Sequence, residues 1–225
     1  MPGRPESRTI DTGVRRLRRS DLPVETVALA RFLIGKTLVH DLPEGRVSGR
    51  IVETEAYLPG DPACHAYCGQ TRRNRSLFLG HGHAYVYFSY GCWALMNVAS
   101  EEAGIGAGIL LRAIEPLEGL PLMQARRHTA RPFDIARGPG RLSVAMGITL
   151  GDDSRDLCDD GPLWLSDGSR PTGAIGRSVR IGISRAADRQ LRFYETGNRF
   201  VSGPARLNAG NATYLKGADG WRAHA

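Results

Sequence analysis

The pattern that most limits how this chain can fold is a hairpin signature over residues 36–58, KTLVHDLPEGRVSGRIVETEAYL. Two runs rich in β-forming residues flank the segment from Pro43 to Gly45, whose proline and glycine are typical of a tight turn. The sequence therefore predicts two antiparallel strands near the start of the domain.

The second of these strands carries an unusual set of polar side chains. Side chains of a strand alternate between its two faces, so Glu53, Glu55 and Tyr57 are expected on one face. The residues between them are expected to share the other face, namely Val52, Thr54 and Ala56. Two acids on one strand face are either solvated, paired with a cation or part of a reactive site.

The rest of the chain supplies more strands than helices. Strands are predicted in HAYVYFSYGCWALMNV, GAGILLRAIEPLEG, VRIGISR and LRFYETG, and short helices in SDLPVETVALARFLIG, EGLPLMQARRH and RLSVAMGI. Little helical sequence separates the early strands, so the sheet should be largely antiparallel. We predict an α+β fold, a single mixed domain with a curved, mostly antiparallel β-sheet flanked by short helices.

Length and composition fit one globular domain between two loose ends. With 225 residues, 41% of them hydrophobic, the chain can bury a substantial core. We expect a flexible basic N-terminus over residues 1–19, a folded domain over 20–204 and a flexible tail over 205–225. The four cysteines are too few for a disulfide scaffold, and no signal peptide or membrane-length apolar run is recognisable. A cytoplasmic location is expected, on the nucleoid if the host is bacterial.

The basic residues are almost all arginine. Of the 30 lysines and arginines only Lys36 and Lys216 are lysines, and the formal net charge is +7. Arginine side chains match phosphate oxygens well, so this balance suits a polyanionic partner. A GC-rich genome, which raises arginine and glycine usage, explains the same composition equally well.

Tyrosines and arginines are concentrated in one part of the chain. Five of the seven tyrosines fall within residues 57–90, and the loop GQTRRNRS carries Arg72, Arg73 and Arg75 just before an aromatic strand. Aromatic faces beside a basic loop are one way in which proteins stack nucleobases. The alternatives are tyrosines that pack at a core edge and arginines that form a solvated surface.

The segment RGPGRL is a second candidate for phosphate contacts. A turn through Gly138, Pro139 and Gly140 leads into a short helix, so free backbone N–H groups and Arg141 would face an anion. An ordinary loop with a helix cap fits the same residues.

Cysteines and histidines form the least specific motif. Cys64, His65 and Cys68 lie close together in CHAYC, and His81 and His83 follow in HGH. Four such ligands can hold zinc, but C-x3-C is not a usual zinc spacing and no second cysteine pair follows. We expect no metal and no other cofactor, with these side chains used in packing.

Seven blocks of the sequence together resemble the alkyladenine (3-methyladenine or methylpurine) DNA glycosylases. In chain order they are GRIVETEAY, DPACHAYCGQTRRNR, HAYVYFSYGCWALMN, GILLRAIEPLEG, RGPGRL, RIGIS and LRFYETGNRFVS. The resemblance extends from about Leu29 to about Ser202, nearly the whole chain. Arg72 and Leu77 stand where members of the family often carry proline and methionine, a difference that bears on loop shape.

The resemblance implies a catalytic role for two of the residues. Glu55 would be the general base that activates water against the anomeric carbon, and Arg112 would lie beside Glu55 and the reacting nucleotide. Glu53 is then expected to be structural, held by an arginine or a backbone donor.

The resemblance also implies a pocket for an extruded base. Tyr57, His65 and Tyr87 would form its aromatic walls, and Asn97 would oppose the amino group of guanine. Tyr90, at the tip of a hairpin, would be the wedge that enters the duplex in place of the flipped nucleotide.

The implied function is that of a monofunctional DNA glycosylase. Such an enzyme flips a damaged purine, such as 3-methyladenine, 7-methylguanine, hypoxanthine or ethenoadenine, out of duplex DNA and hydrolyses its N-glycosidic bond, leaving an abasic site. A strand-cleaving lyase commonly uses an amine, and both lysines lie outside the pocket motifs, so no lyase activity is expected. We expect a monomer that binds duplex DNA and no membrane. The alternatives are a non-catalytic nucleic-acid-binding module and a zinc-dependent hydrolase built on CHAYC and HGH.

Overall fold

One curled antiparallel sheet dominates the computed structural model of the protein, which describes residues 15–89, 91, 93–168 and 172–209. Its strands are β1 (Thr37–Leu42), β2 (Gly45–Tyr57), β3 (Ala84–Ser89), β4 (Trp93–Ala99), β5 (Gly108–Glu118), β6 (Leu163–Ser166), β7 (Ile175–Ser178) and β8 (Arg192–Glu195). The strand order is β3-β4-β5-β2-β1-β6, and β8 pairs with both β2 and β7. All of these pairings are antiparallel. The predicted α+β class with a mostly antiparallel sheet is confirmed.

Short helices flank this sheet. They are α1 (Thr26–Leu33), α2 (Leu120–Arg127), α3 (Pro139–Met146) and α4 (Ala205–Asn208). The Glu25 side chain caps α1 by accepting from the first backbone N–H groups of the helix. The buried face of α1 packs on β2, where the Thr54 hydroxyl donates to the Ala30 carbonyl at 2.9 Å. The three predicted helices correspond to α1, α2 and α3 and are confirmed.

Strand β2 is central to the site because it pairs with β1, β5 and β8. Its register against β5 shifts between Ile51 and Glu53 and again before Thr54, which marks a bulge. Ile51 and Ala56 both enter the main core, whereas Val52 packs in a second cluster with Ala113, Tyr194 and Val201. The predicted common face of Val52, Thr54 and Ala56 is therefore wrong at Val52, because the bulge interrupts the alternation.

The strand predicted in VRIGISR is also wrong. Strand β7 ends at Ser178, and residues 179–183 form a loop in which Gly182 has a positive φ of 80°. The N–H of Ile181 in this loop donates to a side chain, that of Glu55, and not to a neighbouring strand. Strand β6 was not predicted, since its four residues give only two positions on each face.

Residues near both expected ends of the domain contact the sheet. Leu17 is buried and its N–H donates to the Leu165 carbonyl of β6 at 2.9 Å. At the other end, Arg192 of β8 donates to the Asn208 side chain of α4 at 2.7 Å. The domain limits of 20 and 204 remain a prediction.

Candidate active site

Glu55, at the end of β2, lies behind the lining of a cleft with aromatic walls and contacts three residues that line it, Tyr57, Arg112 and Ile181. Its side chain is fully buried. Oε1 accepts from the backbone N–H of Ile181 at 2.7 Å and lies 3.3 Å from Nη1 of Arg112, while Oε2 accepts from the Tyr57 hydroxyl at 3.0 Å. These donors come from the loop after β7, from β5 and from β2, so the tertiary fold assembles them.

Glu53, two residues earlier on the same strand, accepts more hydrogen bonds than Glu55 does. Its Oε1 accepts from Nε of Arg112 at 2.8 Å, from Nε of Arg192 at 2.7 Å and from the Ser202 hydroxyl at 3.0 Å. Its Oε2 accepts from the Ser202 N–H at 2.6 Å. Both kinds of donor expected for Glu53, an arginine and a backbone N–H, are present. Arg112 thus bridges the two glutamates.

The two glutamates therefore ionise differently. Burial raises the pKa of Glu55, and Arg112, the Ile181 N–H and the Tyr57 hydroxyl only partly oppose this, so its pKa lies above the ordinary range. Burial also raises the pKa of Glu53, but Arg112 and Arg192 outweigh it, and the net pKa is lowered. The two arginines thus favour the ionised form of Glu53, whereas burial favours the protonated form of Glu55.

The aromatic cleft, which we define by Tyr57, His65, Tyr85 and Tyr87, has a volume of about 460 Å³. This is within the range of roughly 300–1,000 Å³ found for small-molecule sites. Tyr85 and Tyr87 stack with ring centroids 5.3 Å apart, and His65 meets the Tyr87 ring edge-on at 4.5 Å. The cleft therefore offers flat, rigid walls to a planar ring.

His65 contributes a neutral imidazole to this wall. Its Nδ1 lies 2.9 Å from the Tyr85 hydroxyl. Burial, aided by the nearby positive charge of Arg73, lowers the pKa of His65 below its ordinary value. At neutral pH the wall thus adds no positive charge of its own against a cationic ring.

Asn97 and Arg112 also line the cleft. Asn97 lies on β4, opposite Leu110 of β5 and Tyr85 of β3, and its amide donates to the Tyr85 carbonyl at 3.3 Å. The predicted pocket residues Tyr57, His65, Tyr87 and Asn97 are therefore brought together around one cleft, which Arg112 also lines and behind which Glu55 lies.

The arginine loop before β3 is only partly at the cleft. Arg73 lines it, with its guanidinium carbon 5.9 Å from the Tyr87 ring and Nη2 donating to the Phe88 carbonyl at 3.3 Å. Arg72 and Arg75 are exposed. Asn74 holds the loop by donating to the carbonyls of His65 and Gly69.

The N-terminus of α3 opens beside the same cleft, which Pro139 lines. No side chain in the described part of the chain caps this helix end. A Cβ on Gly140 would lie 3.0 Å from the Trp93 ring, so glycine permits close packing there. Arg141 donates to the Asp134 carboxylate at 3.0 Å, which holds its side chain at the surface.

Tyr90, predicted to be the wedge, lies outside the described residues. The flanking strands β3 and β4 are described and pair antiparallel as far as Ser89 and Trp93. The neighbouring side chains Phe88 and Ser89 line the cleft.

The candidate metal ligands make other contacts. Nδ1 of His83 lies 3.1 Å from the Gly80 carbonyl, and Cys64 and Cys68 are free thiols. Across the described ranges, no three His, Cys, Asp or Glu side chains are grouped to hold a metal ion. In the same ranges, the helices are all too short or too polar to cross a bilayer.

Sequence reasoning missed three parts of the site. Tyr85 belongs to the tyrosine-rich segment 57–90 but was not assigned to the pocket, which it lines. The N–H of Ile181 was not foreseen, because the segment was predicted to be a strand. Arg180, whose guanidinium carbon lies 4.6 Å from the Tyr57 ring, is part of the RIGIS block, but nothing in the sequence indicated a role for it.

Comparison with known proteins agrees with the ordered blocks. Residues 20–199 match the family model for methylpurine-DNA glycosylase. A protein from Mesorhizobium japonicum is 58% identical over 84% of this chain and 91% of its own length, and one from Paraburkholderia phytofirmans is 55% identical over 85% and 90%. One from Rubrobacter xylanophilus is 47% identical over 78% and 92%. Each carries the name "Putative 3-methyladenine DNA glycosylase". The chain therefore belongs to the methylpurine-DNA glycosylase family, which confirms the resemblance and the enzyme class, a hydrolytic DNA glycosylase, expected from the sequence.

Proposed function

We propose that this protein flips damaged purines out of duplex DNA and hydrolyses their N-glycosidic bond, leaving an abasic site. The observation that carries the proposal is the buried Glu55 carboxylate, held beside Arg112 and against residues that line the aromatic cleft. We place its action in the cytoplasm, on nucleoid DNA if the host is bacterial, as a monomer. The substrates are alkylated purines such as 3-methyladenine and 7-methylguanine, and also hypoxanthine and ethenoadenine.

In the proposed reaction Glu55 is the general base. A carboxylate has about four acceptor positions, and Tyr57, Arg112 and Ile181 occupy three of them. The fourth is available to a water. As the bond from the anomeric carbon to the purine nitrogen breaks, its electron pair leaves with the purine. The water oxygen bonds to the anomeric carbon, and Glu55 takes the proton. These steps call for no metal or other cofactor.

The aromatic cleft supplies selectivity for damaged bases. Methylation at N3 or N7 makes a purine cationic, and an electron-rich ring attracts a desolvated cation by about 1 to 2 kcal/mol. The neutral imidazole of His65 suits the same purpose. Asn97 would crowd the 2-amino group of guanine and so protect normal guanine. Tyr90 would fill the gap that the flipped nucleotide leaves.

DNA backbone contacts are proposed on two sides of the cleft. The exposed Arg72 and Arg75 together with Arg73 form one side. The uncapped start of α3, with Gly140 and Arg141, forms the other. Arginine side chains and helix N-termini are both common phosphate contacts.

A release assay over a panel of lesions tests the proposal. Each duplex oligonucleotide carries one modified purine, and undamaged guanine serves as the reference. We expect base release from at least one alkylated purine, none from guanine, and rates that a chelator does not change. Release from no member of the panel would contradict the glycosylase proposal, and a chelator-sensitive rate would favour the zinc hydrolase.

The enzyme is expected to have no lyase activity. The Lys36 ammonium is held by Asp167 at 2.6 Å and lies over the Phe32 ring, and no lysine in the described ranges lines the cleft. Borohydride reduction during turnover should therefore trap no covalent protein–DNA adduct. A lyase of known activity on the same duplex is the positive control, and a trapped adduct would overturn this prediction.

A further inference from the structure

A buried ion pair between Arg180 and Asp61 lies directly behind the aromatic cleft. Both side chains are fully buried, and Nη1 of Arg180 donates to Oδ2 of Asp61 at 2.5 Å. Neither residue lines the cleft. Arg189, half exposed and 4.0 Å from the same carboxylate oxygen, is the second cation near Asp61.

Arg180 joins this pair to the end of β2. Nη1 also donates to the Ala56 carbonyl at 2.9 Å, and that residue lies between Glu55 and Tyr57. The guanidinium carbon lies 4.6 Å from the centroid of the Tyr57 ring, on a face of a pocket wall. The next residue after Arg180 is Ile181, whose N–H donates to Glu55.

Asp61 joins the same pair to the segment that carries His65. Its Oδ1 accepts from the Ala63 N–H at 3.0 Å, and its carbonyl accepts from the Cys64 N–H at 2.8 Å. Asp61 thus shapes the turn that precedes His65. One ion pair therefore connects the segments that position Tyr57, His65 and the Ile181 N–H.

We propose that Arg180, paired with Asp61, is a positioning residue for the glycosylase reaction, because it fixes the Ile181 N–H on Glu55 and holds two walls of the cleft. This role rests on the proposed function, because the reaction that Arg180 would serve is base release; its effect on the position of the Ile181 N–H does not depend on that reaction. Arg180 packs behind the Tyr57 wall but neither lines the cleft nor contacts the Glu55 carboxylate, so it acts through these neighbours.

The main test is Arg180→Met, which removes the charge and keeps much of the side-chain volume. Misplacement of about 1 Å can reduce a rate by roughly 100-fold, so we expect single-turnover base release to fall by about 10- to 100-fold. Affinity for abasic-site duplex should stay within about threefold, since the change leaves the proposed DNA contacts alone. Arg180→Lys, which keeps the charge near Asp61, should recover part of the rate.

A second readout does not depend on activity. Glu55 is faced by Tyr57 and Glu53 on β2, by Arg112 on β5 and by the Ile181 N–H. Both the Ile181 N–H and the Tyr57 hydroxyl are expected to move in Arg180→Met, because Arg180 precedes Ile181 and lies against the Tyr57 ring. A hydrogen bond to the ionised form favours ionisation, so its loss should raise the pKa of Glu55 further. The ¹³C shift of the Glu55 carboxylate, followed against pH, should then show a higher midpoint, and the acid limb of base release should move the same way.

Arg50 provides a matched control. It too is fully buried and pairs with a glutamate, Glu195; like that of Arg180, its Nε has no hydrogen-bond partner among the described residues. Arg50→Met should lower stability but leave the Glu55 midpoint unchanged. If Arg180→Met is too unstable to study, Asp61→Asn tests the same pair, because its amide places a donor against Nη1 of Arg180.

The outcomes separate this inference from the proposed function. A Glu55 midpoint that is the same in wild type and in the Arg180 or Asp61 variants would overturn the positioning role, whether or not the protein releases bases. If the Glu55 midpoint shifts in the Arg180 or Asp61 variants but the wild type releases no base, the positioning effect on Glu55 is supported and the glycosylase proposal is contradicted. An equal shift in Arg50→Met would show a general effect of instability and would also overturn the inference.

Discussion

Glu55→Gln should reduce release of a damaged purine by at least about 100-fold, since general base catalysis typically contributes 10²- to 10⁴-fold. The amide cannot take the proton of the attacking water. The measurement is single-turnover release of 3-methyladenine or hypoxanthine from duplex DNA. Undiminished release would remove Glu55 from its proposed role.

The same substitution should leave the fold and DNA binding intact. The Ile181 N–H donates to Oε1 of Glu55 and Arg112 pairs with the same oxygen at 3.3 Å, so the carbonyl oxygen of glutamine can take that position. Its NH2 group then takes the position of Oε2 and donates to the Tyr57 hydroxyl, which can accept as well as donate. The pKa of Glu55 is raised in the folded state, so the ionised side chain lowers stability at neutral pH. We therefore expect wild-type stability or better.

This variant also separates the enzyme from the non-catalytic nucleic-acid-binding alternative. Affinity for abasic-site duplex should survive in Glu55→Gln while release is lost. A module that only binds would show no base release in the wild type, and the substitution would then have no activity to remove.

The longer strands could be predicted because each presents several side chains to the core. Strands β1 to β5 span six or more residues, enough for alternation to be visible. The bulge near Glu53 could not be foreseen, since it depends on how β2 pairs with β5. The segment around Ile181 was predicted to be a strand because its apolar alternation is typical of one. In the structure it is a loop, and its backbone N–H donates to Glu55.

For the candidate site, the sequence could indicate side chains but not backbone donors. Glu55, Arg112 and the tyrosines have recognisable types and spacing, so the resemblance could name them. The N–H groups of Ile181 and Ser202 bind Glu55 and Glu53, respectively. Neither residue stands out in the sequence, because every non-proline residue has a backbone N–H, isoleucine has an apolar side chain and serine is common. Their distance in sequence from β2 also hides them, and only the assembled fold brings them to the carboxylates.

Glu53→Gln should destabilise the protein by about 3 to 5 kcal/mol, the usual cost of removing one partner from a buried ion pair. Oε1 of Glu53 accepts from Arg112 and Arg192, and Oε2 accepts from the Ser202 N–H. A glutamine must direct its NH2 group at one of these donor sets in either orientation. For a chain of this size the loss corresponds to a decrease in Tm of roughly 6 to 20 °C. Thermal and urea unfolding measure it, and Glu55→Gln is the matched control.

The stability difference between wild type and Glu53→Gln should depend on pH, in a direction set by the pKa of Glu53. The folded-state pKa of Glu53 is below its value in the unfolded chain, about 4.3, because Arg112 and Arg192 outweigh the effect of burial. The stabilisation by Glu53 is therefore fully present above that unfolded value and is lost as the pH falls through the lower folded-state pKa. The difference in the free energy of unfolding between wild type and Glu53→Gln should be largest near neutral pH and should become smaller in acid. Equal stability of the two proteins at pH 7 would mean that Arg112 and Arg192 find other partners, and the structural role of Glu53 would fail.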